Sequence, residues 1–97
     1  METEYIMIVD LILKDEEKGK RIAGGANPHY STTDLSWLNV IGEEILVQGP
    51  YENLFFKVEK VEIFPGFTGA LNIGLTLEDK AEFESISEGD KVYIKTK

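Results

Sequence analysis

The sequence predicts an all-β fold: a small closed or nearly closed β-barrel of six to seven mostly antiparallel strands. From Leu71 to Glu78, leucine and isoleucine alternate with small or polar residues, which is typical of a strand with one buried face. Other short runs rich in Val, Ile and aromatic residues recur along the chain, with Gly and Pro turn signals between them. Because no segment carries the periodicity of a long helix, a β-barrel or a β-sandwich is favoured.

Length and composition limit the organisation and the function of the chain. Its 97 residues suit one domain, residues 1–97, and a hydrophobic content of 42% suits a packed core. Ten basic and eighteen acidic residues give a formal net charge of −8, which argues against nonspecific binding to nucleic acid or to anionic membranes. The chain has no cysteine, which excludes disulfides, a thiolate nucleophile and cysteine-ligated zinc.

The ends of the chain carry no targeting signal that we recognise. The start "METEY" is acidic and lacks the basic region of a secretory signal, and the apolar run "YIMIV" is too short to span a bilayer. We therefore expect a complete, cytoplasmic chain that does not enter membranes.

The N-terminal half predicts one strand followed by a loop. Tyr5–Leu13 reads "YIMIVDLIL", which predicts a strand buried on both faces or one that rotates between the faces of a curved sheet. Lys14–Tyr30 combines charges, several glycines and Pro28, which predicts a long mobile loop or a hairpin tip. A further strand follows, with Ile45 and Val47 on one face.

The segment Leu54–Phe64 predicts a strand with a bulge. Phe56 and Val58 share one parity, whereas Val61 and Ile63 have the opposite parity, so a strict period of two cannot bury all four. A bulge near Glu59-Lys60 would return them to one face.

The C-terminal segment predicts a short connector and a final strand. Phe83 and Ile86 lie three residues apart, which fits one helical turn or a tight loop across the end of the barrel. Glu88-Gly89-Asp90 is typical of a turn, and Val92 and Ile94 are expected to face inward.

Four segments in order, "IGEEILVQG", "FKVEKVEIF", "GALNIGLTL" and "ISEGDKVY", resemble the second, β-barrel domain of elongation factor Tu and its relatives. The resemblance implies a translation-factor type of barrel. It also implies that a neighbouring backbone comes close at Gly74 and that the Gly89-Asp90 turn begins the strand that closes the sheet.

The segment "LILKDEEKGKRIAGGANPHYSTTD" is similar to the opening of the third domain of the same factor. This similarity implies a loop that faces transfer RNA, with phosphate contacts from Lys18, Lys20 and Arg21 and a recognition tip at Gly24-Gly25. A solvated loop of mixed charge and a plain turn are the alternatives. The stretch "GKRIAGGANP" lacks the Gly-Lys-Ser/Thr of a Walker motif, so we expect no nucleotide binding.

Other candidate groups have both a functional and a structural interpretation. His29 is the only histidine, and a catalytic role would need a partner such as Asp34; an ordinary hydrogen-bonded histidine is the alternative. Trp37 is either an anchor for a partner or a plug at one barrel end. An acidic set would attract a basic partner or simply aid solubility: Glu78, Asp79, Glu82, Glu84, Glu88 and Asp90. An aromatic set would stack on bases or cover the core: Tyr51, Phe55 and Phe67.

We therefore expect a non-catalytic binding module that docks on a protein or a ribonucleoprotein, with no cofactor and no metal. The alternative is an acidic inhibitor or immunity-like protein that masks a basic partner surface, and an enzyme is the third option. The candidate binding residues are Lys18, Lys20, Arg21, Gly24, Gly25, His29 and Trp37.

Overall fold

The computed structural model describes residues 2–17, 19–27, 42–65 and 71–96. The described residues form seven strands and one 3₁₀ helix and contain no α-helix, so the predicted all-β fold is confirmed. The strands are β1 (Glu2–Ile8), β2 (Leu11–Asp15), β3 (Gly19–Gly25), β4 (Glu44–Gln48), β5 (Asn53–Pro65), β6 (Leu71–Leu77) and β7 (Lys91–Thr96). The 3₁₀ helix is Ala81–Ser85.

All neighbouring strands are antiparallel, in the order β1-β7-β4-β5-β6-β3-β2. The long strand β5 pairs with β4 over 53–57 and with β6 over 58–65. It therefore joins a first half-sheet (β1, β7, β4 and the start of β5) to a second half-sheet (the rest of β5, β6, β3 and β2). No ladder among the described residues joins β1 to β2, so the sheet is not closed.

The predicted bulge in β5 is confirmed. The register of β5 against β6 shifts between Val58 and Lys60, which leaves Glu59 as the extra residue. As a result Phe56 and Val58 are buried before the bulge, and Val61 and Ile63 pack against the same core after it. The bulge lets one strand serve both half-sheets.

The predicted single strand Tyr5–Leu13 is divided in two at Val9-Asp10. β1 pairs with β7, whereas β2 pairs with β3, so the chain passes from one half-sheet to the other at this corner. The Asp10 carboxylate accepts a hydrogen bond from the Gly25 N–H at 3.1 Å, and the Asp10 N–H donates to the Ala23 carbonyl at 2.8 Å. These two bonds hold the corner against β3.

Of the two interpretations of Lys14–Tyr30, the long loop is wrong for 19–25, which form the interior strand β3 between β2 and β6, whereas a hairpin is present where β2 turns into β3. The charged stretch after β2 contains a tight hairpin turn between β2 and β3, at which Asp15 pairs with Gly19. Residues 28–30 lie outside the described residues.

Gly24-Gly25 is neither a recognition tip nor a turn, because both residues lie within β3. A Cβ atom built on Gly24 would lie 1.7 Å from the Ile8 carbonyl oxygen, so glycine is needed where the β1–β2 corner crosses β3. The close backbone approach expected at Gly74 is therefore found at Gly24 instead. At Gly74 the nearest atom to such a Cβ is in the Phe64 ring, at an ordinary 3.6 Å.

The core lies between the two half-sheets. The inward-facing predictions are confirmed for Ile73, Leu75, Leu77 and Val92, which are buried, while Leu71 and Ile94 are partly buried. The 3₁₀ helix adds Phe83, whose ring meets Phe56 edge-on with centroids 6.3 Å apart. The expected helical turn at Phe83 is thus confirmed.

The predicted turn at Glu88-Gly89-Asp90 is also confirmed and begins β7, but β7 lies inside the sheet between β1 and β4 and does not close it. Gly89 has a φ of +95°, which favours glycine. The buried Asp90 carboxylate accepts a hydrogen bond from the Ser87 N–H at 2.9 Å. Val9 exchanges backbone hydrogen bonds with this turn, donating to the Asp90 carbonyl and accepting from the Gly89 N–H. The turn therefore supports the β1–β2 corner.

Candidate functional site

Four apolar side chains form a continuous line across the outer face of the first half-sheet. Tyr5 pairs with Tyr93, Tyr93 with Leu46, and Leu46 with Phe55, so the line crosses β1, β7, β4 and β5 in register. A sequence neighbour of each is fully buried on the inner face: Ile6, Val92, Ile45 and Val47, and Phe56, respectively. Because successive side chains of a strand point to opposite faces, the four face outward. We call them the outer row.

The outer row is only partly covered by its own neighbours. The Phe55 side chain is 40% exposed, and Tyr5, Leu46 and Tyr93 are half-buried. The Tyr5 and Tyr93 rings touch, with centroids 5.9 Å apart and a tilt of 54°. Burial, together with the nearby Tyr93 and Asp10, raises the pKa of Tyr5 above its ordinary value. The centre of this face is apolar and uncharged.

Polar residues surround the outer row. The exposed Lys91 places its Nζ 5.8 Å from the centre of the Tyr5 ring, and the Tyr93 hydroxyl bonds to Gln48 Oε1 at 3.2 Å. On the other side, the exposed Lys57 lies opposite Glu44 in the register. An apolar centre with a polar rim is the usual anatomy of a protein interface.

The β4–β5 turn presents a further aromatic side chain. Tyr51 is 97% exposed, so the interpretation of this residue as a lid on the core is wrong. Phe55, assigned to the same set, faces outward in the outer row. Phe67 lies outside the described residues.

The predicted basic group is not a single surface. Lys20 is in β3, and its Nζ bonds to Asp79 at 2.7 Å and to the Lys80 carbonyl at 3.1 Å, above the Phe83 ring. Arg21 points to the opposite, outer face of β3, beside Thr76. Lys20 and Arg21, the two candidate phosphate contacts that the structure describes, therefore lie on opposite faces of β3, and Lys20 is bonded within the chain. Lys18, His29, Asp34 and Trp37 lie outside the described residues.

The acidic connector, residues 78–90 between β6 and β7, forms ion pairs with the rest of the fold. Lys14 pairs with Glu84 and Lys20 with Asp79, which joins the connector to β2 and β3. Lys80 lies 3.8 Å from Glu78 and 3.6 Å from Glu82. Four of the six acidic residues are therefore paired with lysines, and the carboxylate of Asp90 is buried.

The Lys14–Glu84 pair predicts a pH effect. The hydrogen bond from Lys14 lowers the pKa of Glu84, against a smaller opposing effect of desolvation. Because the folded pKa is the lower one, the pair supports the fold above the pKa of the unfolded carboxyl and loses that effect as pH falls through the folded pKa. We expect Lys14→Met to raise the pKa of Glu84, as measured by carboxyl ¹³C chemical shifts. Lys60→Met, which instead loses an ion pair with Glu62, is the control, and an unchanged Glu84 titration in Lys14→Met would contradict the assignment.

The described residues contain neither a cluster of metal-binding side chains nor a membrane-spanning helix. Within 2–17, 19–27, 42–65 and 71–96, no three His, Cys, Asp or Glu residues come together in a way that could hold a metal ion. In the same ranges no helix has the length and apolar character needed to cross a membrane.

Comparison with known proteins adds no relative. No protein-family model, curated protein or solved structure matches the chain. The resemblance to the barrels of elongation factor Tu therefore stays a prediction from the quoted segments.

Sequence reasoning singled out only Phe55 of the outer row. The signal that sequence reasoning missed is a bulky apolar residue in each of the four strands that alternates with core-facing residues and therefore faces outward. In β7, for example, Tyr93 stands between Val92 and Ile94. Which of these residues share a line depends on the register, and the register follows only from the strand order.

Proposed function

We propose that this chain is a non-catalytic binding module that docks on a protein or ribonucleoprotein partner through the outer row. The observation that supports this proposal best is the unbroken apolar line across four strands, with Phe55 at 40% exposure. The solvated face of an antiparallel sheet usually carries polar residues at such positions. Contiguous exposed apolar patches on soluble proteins mark interaction sites.

The rim of the outer row suggests the chemistry of the partner. Lys57 and Lys91 are exposed beside the row, although the whole chain carries a net charge of −8. The complementary surface would have an apolar centre flanked by carboxylates or phosphates. Such groups would pair with the two lysines, while the acidic remainder of the chain would repel other anionic partners.

The alternative, an acidic inhibitor that masks a basic surface, has less support. It requires the acidic connector to face the partner, yet Glu78, Asp79, Glu82 and Glu84 all have lysine neighbours within the chain. These lysines reduce the negative potential that the connector offers to a basic partner.

We also propose that the sheet is a nearly closed barrel of the translation-factor type. The translation-factor type rests on the quoted segments alone, whereas two observations support near closure of the sheet. Met7 and Ala26 form an isolated bridge, and the Asn27 N–H donates to the Ile6 carbonyl at 2.8 Å, so β1 lies against the end of β3. Proton–proton contacts by NMR between Met7 and Ala26 would test this approach of the two half-sheets.

The binding proposal predicts that one aromatic residue controls partner capture. Phe55→Ser should weaken retention of the partner at least tenfold, because Phe55 is the most exposed aromatic residue of the outer row and truncating an aromatic anchor costs about 2 kcal/mol or more. The matched control is Phe64→Ser, since Phe64 is 43% exposed on the outer face of the other half-sheet. The measurement is quantitative mass spectrometry of proteins and RNA captured from lysate by each variant.

The same experiment separates the two functions. If the outer row binds, Phe64→Ser and the triple variant Glu82→Lys, Glu84→Lys, Glu88→Lys retain the partner and Phe55→Ser loses it. If the connector binds, the triple variant loses the partner and Phe55→Ser keeps it. Equal retention by wild type and Phe55→Ser would refute docking through the outer row.

A further inference from the structure

A second site lies on the outer face of the second half-sheet, around the only arginine of the chain, Arg21. Arg21 in β3 pairs with Thr76 in β6, and Thr76 pairs with Lys60 in β5. The three polar side chains therefore occupy one line across three strands.

The Arg21 guanidinium contains an unsatisfied donor. Its Nε atom is buried from solvent and has no hydrogen-bond partner among the described residues. Buried donors in folded proteins are nearly always bonded, and leaving one unmade is costly, above all for a charged group. The donor therefore points to an acceptor that the described part of the chain does not supply.

The surroundings of Arg21 form a cleft of about 360 Å³, lined by Glu17, Arg21, Lys60, Glu62 and Thr76. Lys60 Nζ lies 3.1 Å from Glu62 Oε1, so these two lining charges compensate each other. The remaining lining charges are the Glu17 carboxylate and the Arg21 guanidinium, and the guanidinium is the cation that can bind an anionic group.

We propose that this cleft binds a carboxylate group, held by Nε and one Nη of Arg21, with the Thr76 hydroxyl as a further donor. The planar fork of a guanidinium matches a planar carboxylate with two parallel hydrogen bonds, and Nε is one of the donors that such pairing uses. A group with a single negative charge fits better than a dianionic phosphate, because the Glu17 carboxylate in the lining repels additional negative charge. The carboxylate belongs either to a small organic acid or to a peptide.

This site is independent of the outer row. Arg21 and Thr76 lie on the second half-sheet, whereas the outer row crosses the first, so each proposal can fail without the other. The unsatisfied Nε supports the carboxylate site, and the exposed aromatic line supports the docking surface.

The test uses the NMR signal of the Arg21 Nε–H, which needs no further assignment because the chain has one arginine. Sodium acetate is titrated into the intact chain against sodium chloride at matched ionic strength, and then against sodium phosphate. We expect a saturable shift with acetate at millimolar concentration, none with chloride, and binding of phosphate that is about tenfold weaker. A tetrapeptide with a free C-terminal carboxylate, compared with its amidated form, shows whether a peptide terminus is preferred over acetate.

Two variants give the control. Arg21→Lys keeps the charge but removes the fork, and it should abolish the saturable acetate response at the Thr76 amide signal. Lys57→Met, on the other half-sheet, should leave that response unchanged.

Three results would overturn the proposal. The first is no saturable shift of the wild-type Nε–H signal in acetate. The second is an equal response to chloride. The third is a Nε–H signal that follows the titration of Glu17 or Glu62 without added acetate, because the acceptor would then be a carboxylate of the chain itself.

Discussion

Replacing Gly24 with alanine is expected to lower the free energy of unfolding by about 3 kcal/mol or more. The new Cβ would lie 1.7 Å from the Ile8 carbonyl oxygen, 2.9 Å from the Ile8 carbonyl carbon and 3.0 Å from the Asp10 nitrogen. All three are backbone atoms of the β1–β2 corner, so no side-chain rotation can relieve the clash, and the corner must move away from β3. Urea denaturation followed by circular dichroism measures the loss.

The adjacent glycine provides a matched control. A Cβ on Gly25 would have the Asp10 carboxylate oxygen as its nearest neighbour, at 4.0 Å, and Gly25 has no positive φ. Gly25→Ala should therefore change stability by less than about 1 kcal/mol, because the entropy lost by the unfolded chain offsets small local strain. Equal destabilisation by the two substitutions would show that the β1–β2 corner does not cross β3 at Gly24.

The second large effect is expected from Phe83→Ala, which should cost about 3–5 kcal/mol of stability. Phe83 is 1% exposed, its ring meets Phe56 edge-on, and the Lys20 ammonium lies 5.7 Å above it. Truncation leaves a cavity between the half-sheets and removes the apolar support of the connector. The measurement is the denaturation midpoint and slope in guanidinium chloride.

Phe64→Ala is the control for Phe83→Ala because it removes the same ring from a site that is 43% exposed. Its cost should stay below about 1.5 kcal/mol, since much of the ring already contacts water. If Phe64→Ala were as costly as Phe83→Ala, the assignment of the inner and outer faces would be wrong. Phe83→Leu keeps most of the buried volume and gives a measurable value if Phe83→Ala does not fold.

The strands of the C-terminal half could be predicted because their signals are local. The alternation from Leu71 to Leu77 follows from the period of two, and the change of parity between Val58 and Val61 requires one extra residue. Such patterns need no knowledge of distant neighbours. They fix which side chains face the core, but not which strands are adjacent.

β3 could not be predicted because its sequence reflects contacts with distant residues. Its glycines resemble loop residues, yet position 24 must be glycine because the Ile8 carbonyl oxygen lies against it. Lys20 forms an ion pair with Asp79, which is distant in the sequence. The break at Asp10 depends in the same way on the Gly25 N–H. These pairings become visible only once the strand order is known.

The candidate surfaces were hidden for a related reason. Alternation in β7 places Tyr93 opposite to the inward-facing Val92 and Ile94, but only the register shows that Tyr93 lies beside Leu46 on the outer face. Arg21 was singled out from its sequence context, but its neighbours Thr76 and Lys60 come from other strands.

The position of β7 between β1 and β4 has a consequence for synthesis of the protein on the ribosome. β1 is made first, but the ladder that holds it is supplied by residues 91–96, with Glu2 opposite Thr96. Until those residues leave the exit tunnel, the backbone of β1 lacks its ladder partner, although the bridge between Met7 and Ala26 can form. Assembly of the complete sheet must therefore wait until residues 91–96 have been made, so the first strand in the sequence gains its ladder last.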